Sequence, residues 1–327
     1  MNRREILGWS ATAAWTTVVP PTWAQGAAVD PATRLVVADQ SEQYRNLLEA
    51  SGEKAKLKFD LKFPNFSGGP AILEAIRAGA LDAAFVGDVP PIQARVSGTL
   101  LPVVLTLTRD VAEYRLVQRA GTGVKKLSDL KGKRVSYLEG SGRQAFLIEA
   151  LNRGGVRLAD VQRVPLRVPE LNDALRAGAI DVAVLLEPHV TRLTNQGLIE
   201  AIPDPEERRL LPQTSHLYAR PEVLADPQRA AALGQVIASA VRAGKWQNAN
   251  TEAWSRYYYQ GFQRLSPEDA RAITKAQSPL AFKTSVEATP HHQYLIDLMH
   301  QGGAIPRRLD AAGSFTDTFD AVIKAAR

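Results

Sequence analysis

The stretch Ala75-Ile76-Arg77-Ala78-Gly79-Ala80-Leu81-Asp82-Ala83-Ala84-Phe85-Val86 returns 99 residues later as Ala174-Leu175-Arg176-Ala177-Gly178-Ala179-Ile180-Asp181-Val182-Ala183-Val184-Leu185, with seven of twelve positions identical. Each copy reads as the last turn of a helix, a glycine that ends it, and a short apolar strand. The same offset pairs Pro70 with Pro169 at two helix starts, and Asp88 with Glu187 just past two strand ends. It also pairs a strand over 35–38 with one over 134–137. One β-α-β-α-β plan is used twice, which predicts two α/β lobes with largely parallel sheets.

The expected division is residues 30–118 plus 217–327 for the first lobe, including a mostly helical tail, and 119–216 for the second. The chain would then cross between lobes near 117–122 and 212–218. Paired crossings make a hinge, and ligands of open α/β sheets bind outside the carboxyl ends of the strands. The cleft between the lobes is therefore the expected site.

Composition narrows the chemistry. The chain has 327 residues, 45% hydrophobic and 23% charged, which excludes disorder and fibrous repeats. With no cysteine there is no disulfide, cysteine-ligated zinc, iron–sulfur cluster, thiol nucleophile or lipid-anchor thiol. Forty basic and 34 acidic residues are interleaved to a net +6, which leaves room for an anionic ligand but makes no basic stripe for nucleic acid. Residues 1–24 read as a secretory signal peptide: Arg3 and Arg4, a weakly apolar stretch, Pro20-Pro21, then small residues in Thr22-Trp23-Ala24. Asn2-Arg3-Arg4-Glu5-Ile6-Leu7 is similar to a twin-arginine signal. The expectation is a soluble periplasmic monomer.

Two turns that open helices are the best oxyanion candidates. In Asn65-Phe66-Ser67-Gly68-Gly69-Pro70, the backbone amides of Ser67, Gly68 and Gly69 lie at a helix start with its positive end behind them. In Glu139-Gly140-Ser141-Gly142-Arg143, the glycines admit a ligand to the backbone, Ser141 offers a hydroxyl and Arg143 a charged fork. Either turn read singly is a capped helix start; at equivalent places on one cleft they read as a binding site. Asp88 and Glu187 either accept from a ligand amine or hydroxyl, or cap the helices that follow.

Other patterns lead away from catalysis. Gly140-Ser141-Gly142-Arg143-Gln144-Ala145 fits a dinucleotide fingerprint, yet the next strand, expected over 161–166, ends in no acid that could hold a ribose. There is no G-x-S-x-G elbow, phosphate-binding Walker loop or H-E-x-x-H pair. His291, His292 and His300 fit a helix surface better than a metal site, and His216 reads as structural. Trp246, Trp254 and Tyr258 recur on one helix face as core. No catalytic residue, metal or cofactor is expected.

The segments 63–75 (FPNFSGGPAILEA), 79–82 (GALD) and 87–91 (GDVPP) resemble the substrate-binding proteins of bacterial ABC importers for aliphatic sulfonates, taurine and nitrate. LSDLKGKRV at 127–135, Glu139-Gly140-Ser141 and residues 181–189 are similar to that family's second-lobe motifs, and GGAIP at 302–306 fits in the tail. The resemblance implies a type II periplasmic binding protein, two α/β lobes hinged around a ligand cleft, that delivers its solute to an ABC permease in the inner membrane. It also implies a pocket drawing on Gln40, the 67–69 turn, Asp88, Ser141, Gly142 and Glu187. Leu186-Glu187-Pro188-His189 departs from the family's Trp-Asp-Pro-Tyr, which removes an aromatic wall and lengthens an acid. The expected ligand is an organosulfonate or related small oxyanion. The alternatives are a thiamine-precursor pyrimidine or other nitrogenous solute, an exported enzyme on the same fold, and an adaptor that binds protein.

Overall fold

A computed structural model describes residues 28–40, 42–66 and 68–327. The signal segment 1–24 and Ser67 lie outside the described residues. The chain first lays down β1 (Arg34–Gln40), β2 (Asp60–Lys62), β3 (Asn65–Phe66), β4 (Ala83–Gly87) and β5 (Val103–Thr108). It then builds a separate sheet from β6 (Arg115–Arg119), β7 (Arg134–Ser136), β8 (Gln162–Arg163), β9 (Val182–Leu185) and β10 (Ile199–Ala201). Finally β11 (Thr214–Ala219) and β12 (Ala281–Lys283) return to the first. The sheet orders are β12-β5-β11-β4-β1-β2, with β3 also on β1, and β10-β6-β9-β7-β8. β1 pairs in parallel with β2, β3 and β4, and β7 in parallel with β8 and β9. The two-lobed α/β architecture read from the repeat is present, but the sheets are mixed rather than largely parallel: β11 runs antiparallel to β4 and β5, β12 to β5, and β6 to β9 and β10.

The repeat works the same way in both lobes. Helices Gly69–Arg77 and Leu171–Arg176 end at Gly79 and Gly178, with φ of +73° and +63°. The aspartate three positions after each glycine, directly before β4 or β9, then locks the neighbouring parallel strand, β1 or β7. Asp82 Oδ2 accepts from the Val36 amide at 2.8 Å, and Asp181 Oδ2 from the Arg134 amide at 2.9 Å. Each aspartate also returns its own amide to the carbonyl of that residue, Val36 or Arg134. Asp82 is held further by Arg220, at 3.2 Å, and by Arg229, so the first lobe's lock ties in β11 and the long helix Pro227–Ala249.

Three boundaries differ from the sequence reading. The sheets exchange chain over 109–114 and 202–213, several residues before the expected crossings. The cause is that Leu116 and Val117 are both buried, in different apolar clusters, so this strand must lie inside a sheet rather than in a linker. The strand expected over 161–166 shrinks to β8, because Pro165 has no amide to donate to a ladder. In the tail, helix Ser285–Gln301 packs Leu295, Ile296, Leu298 and Met299 with Phe146, Leu147 and Ile148 of the second lobe. That tail therefore joins the two lobes instead of belonging to the first alone. Its His292 is fully buried, against the surface position expected, with Nε2 3.1 Å from Ser314 Oγ and its ring edge-on to His216. His216 is structural as expected, with Nδ1 2.9 Å from Thr106 Oγ1.

Because Asp82 satisfies an amide and two guanidinium groups near the core, Asp82→Ala should cost about 2–3 kcal/mol in urea unfolding. Asp181→Ala, whose carboxylate serves only Arg134 among the described residues and is more exposed, should cost about half as much.

Candidate ligand-binding cleft

A cavity of about 700 Å³ lies between the lobes, at the carboxyl ends of β1 and β4 and of the corresponding second-lobe strands. β1 delivers Gln40 to its wall, β4 delivers Gly87, and the residues just past β9 deliver Leu186, Glu187 and His189. The two turns singled out in the sequence meet across this gap. A Cβ on Gly68 would lie 2.9 Å from Leu138, and one on Gly142 would lie 2.6 Å from the Tyr114 hydroxyl and 2.7 Å from Asp88 Oδ1. At Gly142 any side chain would displace Tyr114 and Asp88, whereas at Gly68 the neighbour is the far end of a leucine side chain that can turn aside.

Of the residues expected at the site, Gln40, Gly68, Arg143 and Glu187 line the cavity. Gly69 does not; it packs on Pro90 within its own lobe. Ser141 is buried just behind the wall and its hydroxyl donates to the Leu138 carbonyl at 2.6 Å. With that proton committed, the hydroxyl offers lone pairs, the wrong polarity for an oxyanion. Gly142 stands at the start of the helix Gly142–Arg153, in contact with Tyr114 and Asp88 rather than on the wall. The capping role falls to Glu187, whose Oε2 accepts from the Thr191 amide at 3.0 Å. The Asp88 side chain makes no capping bond to its helix, Val89–Val96.

The charges on the wall sort into paired and unpaired groups. Arg115 is held by the buried Glu207 at 2.8 Å, Arg167 by Glu170, and Glu113 by Arg109 at 3.0 Å. Arg143 makes no hydrogen bond or ion pair among the described residues. Burial lowers its pKa, opposed weakly by Tyr114. Burial, and then the charges of Arg143 and Arg192, hold His189 down to about 4, so it faces the cavity neutral. Asp88 is pushed up to about 7 by burial, against backbone amides that favour the anion.

Sequence reasoning missed most of the apolar wall. Tyr44 stacks on Phe85 at 4.1 Å between ring centroids, and both line the cavity. Tyr114 arrives on the first crossing, and Tyr258 and Tyr259 arrive from the tail. Tyr258 is core, as its helical spacing suggested, stacked on Trp254 at 4.7 Å, yet it lines the cavity too.

Two α/β lobes, two crossings and a cavity between the strand ends define the periplasmic-binding-protein fold. Residues 53–242 match the model of the NMT1/THI5-like family, and the chain belongs to that family. A protein of Escherichia coli strain K12 described as an aliphatic sulfonates-binding protein is 25% identical over 259 residues, 79% of this chain and 80% of its own length. The fold is similar to the alkanesulfonate-binding protein SsuA from Xanthomonas axonopodis pv. citri bound to MOPS, with TM-score 0.77 and 19% identity over 89% of this chain and 99% of that one. It is also similar to the periplasmic nitrate-binding protein NrtA from Synechocystis PCC 6803, with TM-score 0.70 and 14% identity over 91% and 90%.

The raised carboxyl of Asp88 has a consequence for stability. The folded state keeps a proton that the unfolded chain releases near pH 4. Its contribution is therefore fully present below about pH 4 and is lost as pH rises through about 7. Asp88→Asn should melt higher than the parent at pH 8, with the difference shrinking or reversing at pH 5. Thermal unfolding at both values checks this.

Proposed function

We propose that this chain is a periplasmic solute receptor that binds an organosulfonate or related small oxyanion in the interlobe cavity and hands it to an ABC permease. The observation that carries the reading is Arg143. A mostly buried guanidinium without a carboxylate partner is costly unless an anion supplies the missing charge. It stands in the first turn of a twelve-residue helix whose dipole adds to the attraction. The neutral His189 beside it adds no competing charge.

The cavity volume supports an organic body. A bare inorganic anion would leave most of 700 Å³ to water, whereas Tyr44, Phe66, Phe85, Tyr258 and Tyr259 offer apolar faces to a carbon skeleton. The sulfonate-binding names of the relatives agree with this choice. A micromolar dissociation constant needs only about 8 kcal/mol, within reach of one charge-assisted pair and such a wall. Release to a permease follows from hinge opening, because the ligand favours the closed form only through contacts to both lobes.

Arg143→Met should weaken binding of propanesulfonate at least about tenfold in titration calorimetry. The unliganded variant should melt no lower than the parent, since it loses a desolvated charge and no partner. Unchanged affinity would remove Arg143 from the site. Silence of the parent protein across alkane- and arylsulfonates, sulfate and nitrate would remove the oxyanion reading.

A further inference from the structure

We infer that Asp88 sets the charge the cleft accepts: an aprotic oxyanion such as a sulfonate enters the Tyr114–Arg143 end together with one proton, which Asp88 carries. The inference rests on reading the cavity as an oxyanion site. Asp88 directly follows Gly87, the last residue of β4 and part of the cavity wall. Its side chain is buried, 3% exposed, and Oδ1 has no hydrogen-bond partner among the described residues. No cation is paired with it there.

The space that Gly142 leaves open shows where this carboxyl points. Tyr114 Oη and Asp88 Oδ1 both crowd the position a Cβ would take, so phenol and carboxyl lie together against the first turn of the helix Gly142–Arg153. The group facing Asp88 is the Tyr114 phenol from the first crossing; Arg143, which follows Gly142 on that helix, acts on the same phenol, with neutral His189 beyond it. Its own helix begins Val89-Pro90-Pro91, and the neighbouring helix start presents Gly69 to Pro90, so neither adds a charge at this contact.

An anion placed against Arg143 and Tyr114 puts a second negative charge beside an ionised Asp88 in a desolvated site. Two like charges there are mutually unfavourable, and one must be neutralised. A sulfonate cannot take up the proton in water, so the carboxyl does. Burial already brings the Asp88 carboxyl to about 7, which makes that proton accessible near neutrality.

Titration calorimetry of the parent protein with propanesulfonate, at one pH in buffers of different ionisation enthalpy, counts the protons taken up. The expected uptake is about half a proton per ligand at pH 7 and approaches one at pH 8, with affinity falling toward about tenfold per pH unit above 7. In Asp88→Asn, which keeps the shape of the side chain, the uptake should vanish and the dissociation constant should stay flat from pH 6.5 to 8.5. Binding by the parent without proton uptake overturns this inference and leaves the oxyanion reading standing. Uptake that survives in Asp88→Asn but disappears in His189→Gln also overturns it. If no sulfonate binds the parent protein, the oxyanion reading falls and takes the inference with it.

Discussion

Parallel pairing of β1 with β4 and of β7 with β9 fixes where everything else in the molecule falls. Val37 and Ala38 face Ala83 and Ala84 in one lobe, and Val135 and Ser136 face Val182 and Ala183 in the other. Once Asp82 and Asp181 have clamped the starts of those strands, their carboxyl ends must emerge together. A parallel sheet gathers several strand ends on one edge, where the chain turns and backbone amides are free of the ladder. Gln40, Gly87 and the Leu186–Glu187 pair are delivered to the gap by this register alone.

That is also why so much was legible in the sequence. The repeat is a local pattern: a helix end, a glycine and an apolar strand recur at fixed spacing, and the residue after each strand inherits a place on the cleft. Glu187 was placed at the cleft in this way, Gly68 and Arg143 by the turns that open two helices, and Gln40 only by the family resemblance; all four line the cavity. The aromatic wall was not, because Tyr114, Tyr258 and Tyr259 reach the cavity through a crossing and a non-repeated tail. Their positions depend on long-range packing, and no spacing in the chain records it. Tyr258 shows the ambiguity most clearly, since one ring is stacked into the core on Trp254 and still borders the cavity.

Ser141, Asp88 and Glu187 mark a different limit. Residue type and spacing place a hydroxyl or carboxylate near a cleft, but they do not say which of its lone pairs and protons are already engaged. Ser141 donates to the Leu138 carbonyl, Glu187 accepts from the Thr191 amide, and Asp88, read from sequence as an equal capping candidate, is the one left with an orphan oxygen. These assignments turn on sub-ångström placement of neighbours, above all on how closely Gly142 lets Tyr114 and Asp88 approach.

The site thus divides between two sources. The repeated plan builds the polar end, where a desolvated guanidinium and a buried acid sit near one helix terminus. Taken together they carry close to one net positive charge when Asp88 is protonated and close to none when it is ionised, so under the proposed reading the attraction for an anion would depend on a proton. The non-repeated crossing and tail build the apolar end, whose contribution follows buried area and is indifferent to charge. Changes in the tail can therefore reshape the apolar wall without disturbing the polar end. Changes at Gly142 act on the polar end directly, because any side chain there would push Tyr114 and Asp88 away from the helix terminus they share.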